Sequence, residues 1–193
     1  MNSNVQKLAR VLRVMVIVIF VCNILALLVV PLLALAVPEL KDILAGGGLP
    51  PSAVPEDDIV RVPLPVLLGM SWLLVWTEPQ TAVLTGFLLA CGVCTAIILW
   101  QGKRVLDTVL AGEPFSMKNA ANLRRAAVCC FVISGAALVR LIWGLVYYAG
   151  IRPLLTYNAL FVPVFLIGGL LFLVMSALFR QAAELKAEND LTI

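Results

Sequence analysis

Histidine is absent from the 193-residue chain, and charged side chains make up only 13% of it. Without an imidazole there is no Ser–His or Cys–His nucleophile, no His-ligated haem and none of the usual zinc sites. Charge this sparse excludes an ordinary water-soluble domain, in which about a quarter of residues are charged. No Walker motif or dinucleotide fingerprint occurs, and the run Gly46-Gly47-Gly48 lies outside the apolar stretches. Acid–base groups are nearly missing from those stretches, so an enzyme is not expected, nor is a cofactor or metal. A net charge of +3, carried in short flanking segments, is a topology signal and not a nucleic-acid footprint.

Hydrophobicity dominates the rest: 62% of the residues are hydrophobic and the mean hydropathy is +1.05. Crossing a bilayer core takes ~20 apolar residues. Four stretches qualify, at about 11–37, 81–100, 126–148 and 159–179. The expected fold class is therefore all-α, a polytopic integral membrane protein with four transmembrane helices in a single membrane domain over 1–193. Pro31 is placed to kink the first span. That span follows Lys7, Arg10 and Arg13, but its apolar run exceeds the ~7–15 residues of a signal-peptide core, so it reads as retained.

Basic flanks set the orientation. Lys7, Arg10, Arg13, Lys103, Arg104, Lys118, Arg124, Arg125, Arg180 and Lys186 fall on one side, against Lys41, Arg61 and Arg152 on the other. The positive-inside rule then places both termini and the middle loop in the cytoplasm. The outer loop, 38–80, opens with glycines and with Pro50, Pro51 and Pro55, followed by the acids Glu56, Asp57 and Asp58. Its apolar run from Val62 to Trp76 is too short to span and is interrupted by Pro63 and Pro65; a strand or an interfacial helix anchored by Trp72 and Trp76 is expected there. Thr77-Glu78-Pro79-Gln80 has capping-box spacing for the second span.

The cytoplasmic segment 101–125 reads as a helical hook. Val105, Leu106, Val109 and Leu110 continue the second span's helix with an apolar face, Gly112 ends it, and Pro114 and Phe115 make the corner. Ser116 is placed as the N-cap of a helix running through Asn119 and Asn122 into the third span. The tail, 180–193, passes from helix-forming residues to the apolar end Leu191-Thr192-Ile193, which gains by packing on the hook's apolar face. Hook and tail together (Pro114, Phe115, Ser116, Asn119, Arg124, Arg125, Leu191 and Ile193) form the candidate partner surface. The tail acids Glu184, Glu188 and Asp190 have no metal-loop spacing and read as a solvated helix end.

Within the spans, Arg140 is the most unusual residue. It sits about fourteen residues into the third span, ~21 Å from its cytoplasmic end. Two readings stand. It is a structural anchor that snorkels past Trp143 and pairs with Asp57, Asp58 or Glu78, or it lines an outward-facing cavity for an anion or ligand head group. Asn23 is read as an interhelical hydrogen-bonding group. Small residues recur every four positions at Gly86, Ala90 and Cys94 and at Ala126, Cys130 and Ser134, seams on which the second and third spans could approach. All five cysteines, Cys22, Cys91, Cys94, Cys129 and Cys130, lie in apolar runs, which favours packing over disulfides or redox work, even for the C-x-x-C at Cys91 and Cys94.

Gly112-Glu113-Pro114-Phe115-Ser116, then Asn119 and Leu123-Arg124-Arg125, together with the tail from Phe179-Arg180 to Glu188-Asn189-Asp190-Leu191-Thr192-Ile193, resemble the bacterial membrane protein family called domain of unknown function 2975. The resemblance covers Val105 to Ile193. It implies a four-span protein of the bacterial cytoplasmic (inner) membrane without an assigned activity. It also implies a partner, since such genes often lie beside a small helix-turn-helix regulator; it carries over no catalytic residue. The expected partners are membrane lipids and such a regulator or another membrane protein, with the oligomeric state open. The leading expectation is a non-enzymatic binding or regulatory protein; the alternative is a small transporter or immunity-type protein that handles a hydrophobic or anionic ligand near Arg140.

Overall fold

Long runs of Leu, Val, Ile and Ala can satisfy their backbone groups inside a bilayer by forming helices, and helices are what they form. The computed structural model describes residues 3–44, 63–113, 115–155 and 157–190. Its elements are α1 (Ser3–Leu44), α2 (Leu64–Leu74), α3 (Pro79–Leu110), α4 (Met117–Tyr148) and α5 (Tyr157–Asp190), with a 3-10 turn at Arg152–Leu155 before α5. No strand occurs among the described residues. Four segments, Gln6–Leu35 of α1, all of α3 and α4, and Ala159–Asn189 of α5, are long and apolar enough to cross a membrane. The protein is a multi-pass α-helical membrane protein, and the many exposed leucines, valines and isoleucines along these helices are surface for lipid to cover.

Contacts divide the chain into two compact units, one of Met1–Leu25 with Ala90–Ile193 and one of Ala26–Leu89. In the second unit, Pro63 and Pro65, which interrupt the apolar run, mark the start of a helix. Pro63 sits at the N-cap with ψ 138° and Pro65 falls in the first turn of α2, where no backbone N–H is required. The choice between strand and helix here resolves to the eleven-residue helix α2. Thr77 does not act as a capping-box residue: its hydroxyl turns back and donates to the Leu74 carbonyl at 2.7 Å. α3 opens instead on Pro79, with the Glu78 carbonyl accepting from Ala82 N at 2.9 Å and from the Thr81 hydroxyl at 3.0 Å. Pro31, Val75 and Thr85 are fully buried in this unit, and α1 continues through Pro31. The glycine run, Pro50, Pro51, Pro55, Glu56, Asp57 and Asp58 lie outside the described residues.

In the first unit α4 is the packing centre: 39% of its most apolar window is buried, against 11%, 17% and 6% in α1, α3 and α5. Its small residues let α5 come close. The Ser134 hydroxyl donates to the Val162 carbonyl at 2.9 Å, the Ser176 hydroxyl donates to the Ala120 carbonyl at 2.7 Å, and the Phe131 ring lies over Gly169. The α4 seam therefore meets α5 at Ser134. Cys94, Cys129 and Ile133 form a core with Cys91, Ile98, Phe161 and Phe165 around it, so these thiols serve as small packing groups.

Candidate functional site

The α3–α4 turn is closed by local backbone chemistry at both ends. Gly112, at φ +85°, donates its N–H to the Val109 carbonyl at 3.2 Å, and Glu113 N donates to the Thr108 carbonyl at 3.0 Å. This is the paired Schellman arrangement, and the left-handed position it needs is one that glycine occupies without a Cβ penalty. Four residues later Ser116, extended at φ −131° and ψ 146°, caps α4 and accepts from Asn119 N at 3.4 Å. The side chains then lock the two helices together. Asn119 is fully buried, and its Nδ2 donates to Thr108 Oγ1 at 2.6 Å while that hydroxyl donates to the Val105 carbonyl at 2.7 Å. Phe115 stacks obliquely on Phe179 of α5, ring centroids 5.7 Å apart. The six-residue connection from Ala111 to Ser116 thus has partners on α3, α4 and α5.

Charge gathers beside this corner. Asp107 lies between two cations: Arg13 Nε of α1 is 2.8 Å from Oδ1, and Lys103 Nζ is 3.6 Å from Oδ2. On the membrane side, the exposed Trp100 packs against Phe20 at 5.8 Å, with Lys103 and Arg104 at 5.1 and 5.9 Å from its ring centroid. An open cleft of about 370 Å³ runs between α3 and α4, lined by Arg104, Asp107, Thr108, Lys118, Asn122 and Arg125. A second, almost wholly apolar cavity of about 150 Å³ adjoins it, with Asn122 in the wall of both and the buried Gln101 beside it.

The residues singled out from sequence divide between these places. Phe115, Ser116 and Asn119 come together in the corner; Arg125 lines the cleft and Arg124, next to it, is exposed outside it. Pro114, Leu191 and Ile193 lie outside the described residues, so the expected docking of the tail end on the hook does too; the described part of the tail is helix α5 up to Asp190. Arg140 is half-buried on α4, within electrostatic range of Cys91, and Trp143 three residues on is exposed. Asp57 and Asp58, two of its expected partners, are again outside the described residues. Asn23 is half-buried on α1.

Sequence reasoning passed over Asp107 and Thr108, and placed Asn122 only as a residue of the helix leading into the third span. The signal was there in the helical phase: Arg104, Asp107 and Thr108 share one face of α3, and Lys118, Ala121, Asn122 and Arg125 one face of α4. Among the described residues no group of three or more Cys, Asp or Glu side chains could hold a metal ion.

The corner and cleft lie inside the stretch that a known family shares. The family model described as "Protein of unknown function (DUF2975)" matches residues 47–193. That range takes in the C-terminal resemblance and extends it back through α3 and α2. No curated protein and no solved structure matches the chain. Four membrane-crossing helices, the Gly112–Ser116 corner and a match over well more than half of its length make this chain a member of the DUF2975 family.

Proposed function

We propose that this chain is a non-enzymatic binding protein of the bacterial cytoplasmic membrane, with both termini and the α3–α4 corner in the cytoplasm. The corner is its partner surface, and a soluble regulator or a second membrane protein is the partner. Ten basic residues flank the spans on the corner's side against three on the other, which supports the orientation. The observation that carries the reading is the closed corner itself. A connection that only had to join two spans would need no Schellman turn, no capped helix and no buried Asn119–Thr108 bond. Such closure presents Phe115, half-exposed at 50%, at a fixed position, and aromatic side chains are enriched in the cores of protein interfaces.

Two measurements test this. A reporter inserted near Gly47 should report the outer side, and one after Ile193 the cytoplasm. In crosslinked membranes, Phe115→Ala should keep wild-type insertion and yield yet lose the captured partner. A cytoplasmic signal at Gly47, or an unchanged set of crosslinked proteins with Phe115→Ala, would refute the proposal.

A further inference from the structure

The cleft between α3 and α4 has more positive charge than the described residues neutralise. Its single carboxylate, Asp107, is engaged by Arg13 and Lys103, neither of which lines the cleft. Arg104, Lys118 and Arg125 line it, and among the described residues none of the three forms a salt bridge. Thr108 and the buried Asn122 add neutral polar groups to the wall. Two guanidinium forks and an ammonium facing one open space form a donor set suited to tetrahedral oxyanions, which take several charge-assisted hydrogen bonds at once. We infer that this cleft binds a phosphate group, and that the group is carried by the headgroup of an anionic lipid.

Depth supports the lipid source. Trp100, flanked by Lys103 and Arg104, marks the boundary between hydrocarbon and water. At 1.5 Å per residue Arg104 stands ~6 Å beyond it, within the ~5–8 Å of headgroup layer on each face of a bilayer. The Asn119–Thr108 bond sets the antiparallel register of the hairpin. Arg125, ~9 Å along α4 from Asn119, is therefore level with the turn of α3 just before Arg104. Lys118 lies farther out. The adjoining cavity, apolar in its wall apart from Gln101 and Asn122 and lined by Val16, Leu99, Val105, Leu123 and Phe172, can cover part of an acyl chain.

A diffuse attraction of basic flanks to anionic membranes is the competing account, and it predicts that every exposed cation counts equally. Arg124 and Arg125 separate the two: same charge, adjacent positions, one outside the cleft and one inside. The purified full chain in dodecyl maltoside would be titrated with phosphatidylglycerol, with phosphatidylcholine and with inorganic phosphate, and retained ligand counted by native mass spectrometry. Phosphatidylglycerol should be retained and phosphatidylcholine not. Arg125→Ala should weaken retention about tenfold or more, the loss of one charge-assisted fork, whereas Arg124→Ala should change it by less than about twofold.

Should Arg125→Ala fail to fold, Lys118→Gln addresses the same cleft and should show a loss as well. Equal losses for Arg124→Ala and Arg125→Ala, or equal retention of the two lipids, overturns the site. Displacement of the lipid by inorganic phosphate at matching concentration keeps a phosphate site and overturns the lipid as its source. The inference builds on the binding role proposed above, yet retention in micelles depends neither on which side the corner faces nor on the Phe115 partner, so each can fail alone.

Discussion

Replacing Gly169 by alanine puts the α4–α5 contact under direct test. A Cβ built at this position would stand 2.7 Å from Cε1 of Phe131 and 3.0 Å from its Cδ1 and Cζ. Carbon atoms rest comfortably at about 3.5–4.0 Å, so the ring or the helix must give by roughly 1 Å. Inserting a methyl into a filled contact of this kind costs about 1–3 kcal/mol. Alanine also raises helix propensity over glycine by about 0.8–1.0 kcal/mol, which would blur a single measurement.

Gly168 supplies the control, because nothing lies within 4 Å of where its Cβ would be. The propensity gain is common to both variants, so their difference isolates the crowding at about 1–3 kcal/mol. For a chain of this size that is a gap of about 2–12 °C in melting temperature. Melting in detergent can be followed with a thiol-reactive fluorophore, since Cys94, Cys129 and Cys130 are buried until the bundle opens. Phe131→Leu in the Gly169→Ala background should recover most of the loss. If Gly169→Ala melts at or above Gly168→Ala, the close approach of α5 to Phe131 is wrong.

Two further outcomes follow from the corner. Asn119→Ala should destabilise the chain by about 1–3 kcal/mol, and in a double-mutant cycle with Thr108→Val the two losses should overlap by about 0.5 kcal/mol or more; strict additivity would mean the side chains do not interact. Asp107→Asn, by contrast, should cost less than about 1 kcal/mol at moderate salt, because the Arg13 and Asp107 side chains are 42% and 36% exposed and solvent screens the pair. A melting temperature that falls as far for Asp107→Asn as for Asn119→Ala would show that the ion pair, and not the buried amide, holds the corner.

How much of this was legible in the sequence depends on the range of each interaction. The four apolar helices follow from hydropathy alone, because backbone desolvation leaves few alternatives. Gly112 and Ser116 were also readable, since a left-handed terminus and an N-cap depend on one residue and its near neighbours. Cross-helix partners were not. Arg13 and Asp107 are far apart in the chain, and neither carries a pattern that names the other. Asn119 looked like one polar residue of a cytoplasmic hook and proved to be its most buried one. Thr77 and Gln80 have capping-box spacing, but the preceding turn of α2 offered the Thr77 hydroxyl a nearer acceptor at Leu74. Strand and helix both stayed open for the apolar run around Pro63 and Pro65, because the same residue that breaks a helix interior favours its first turn. The family resemblance was visible over the C-terminal part only, and the family match reaches farther, to residue 47.

The equal lengths of α3 and α4, 32 residues each, have a mechanical consequence. At 1.5 Å per residue each rod is ~48 Å long, about 18 Å more than the hydrocarbon slab it crosses. This surplus is carried as helix and not as a tether. A push on the tip, or a change in bilayer thickness that alters the tilt of α4, is then transmitted along α4 to its contacts with α5. Phe179 and Ser176 are where that motion reaches α5, so the lipid-facing and water-facing parts of the protein cannot move independently there.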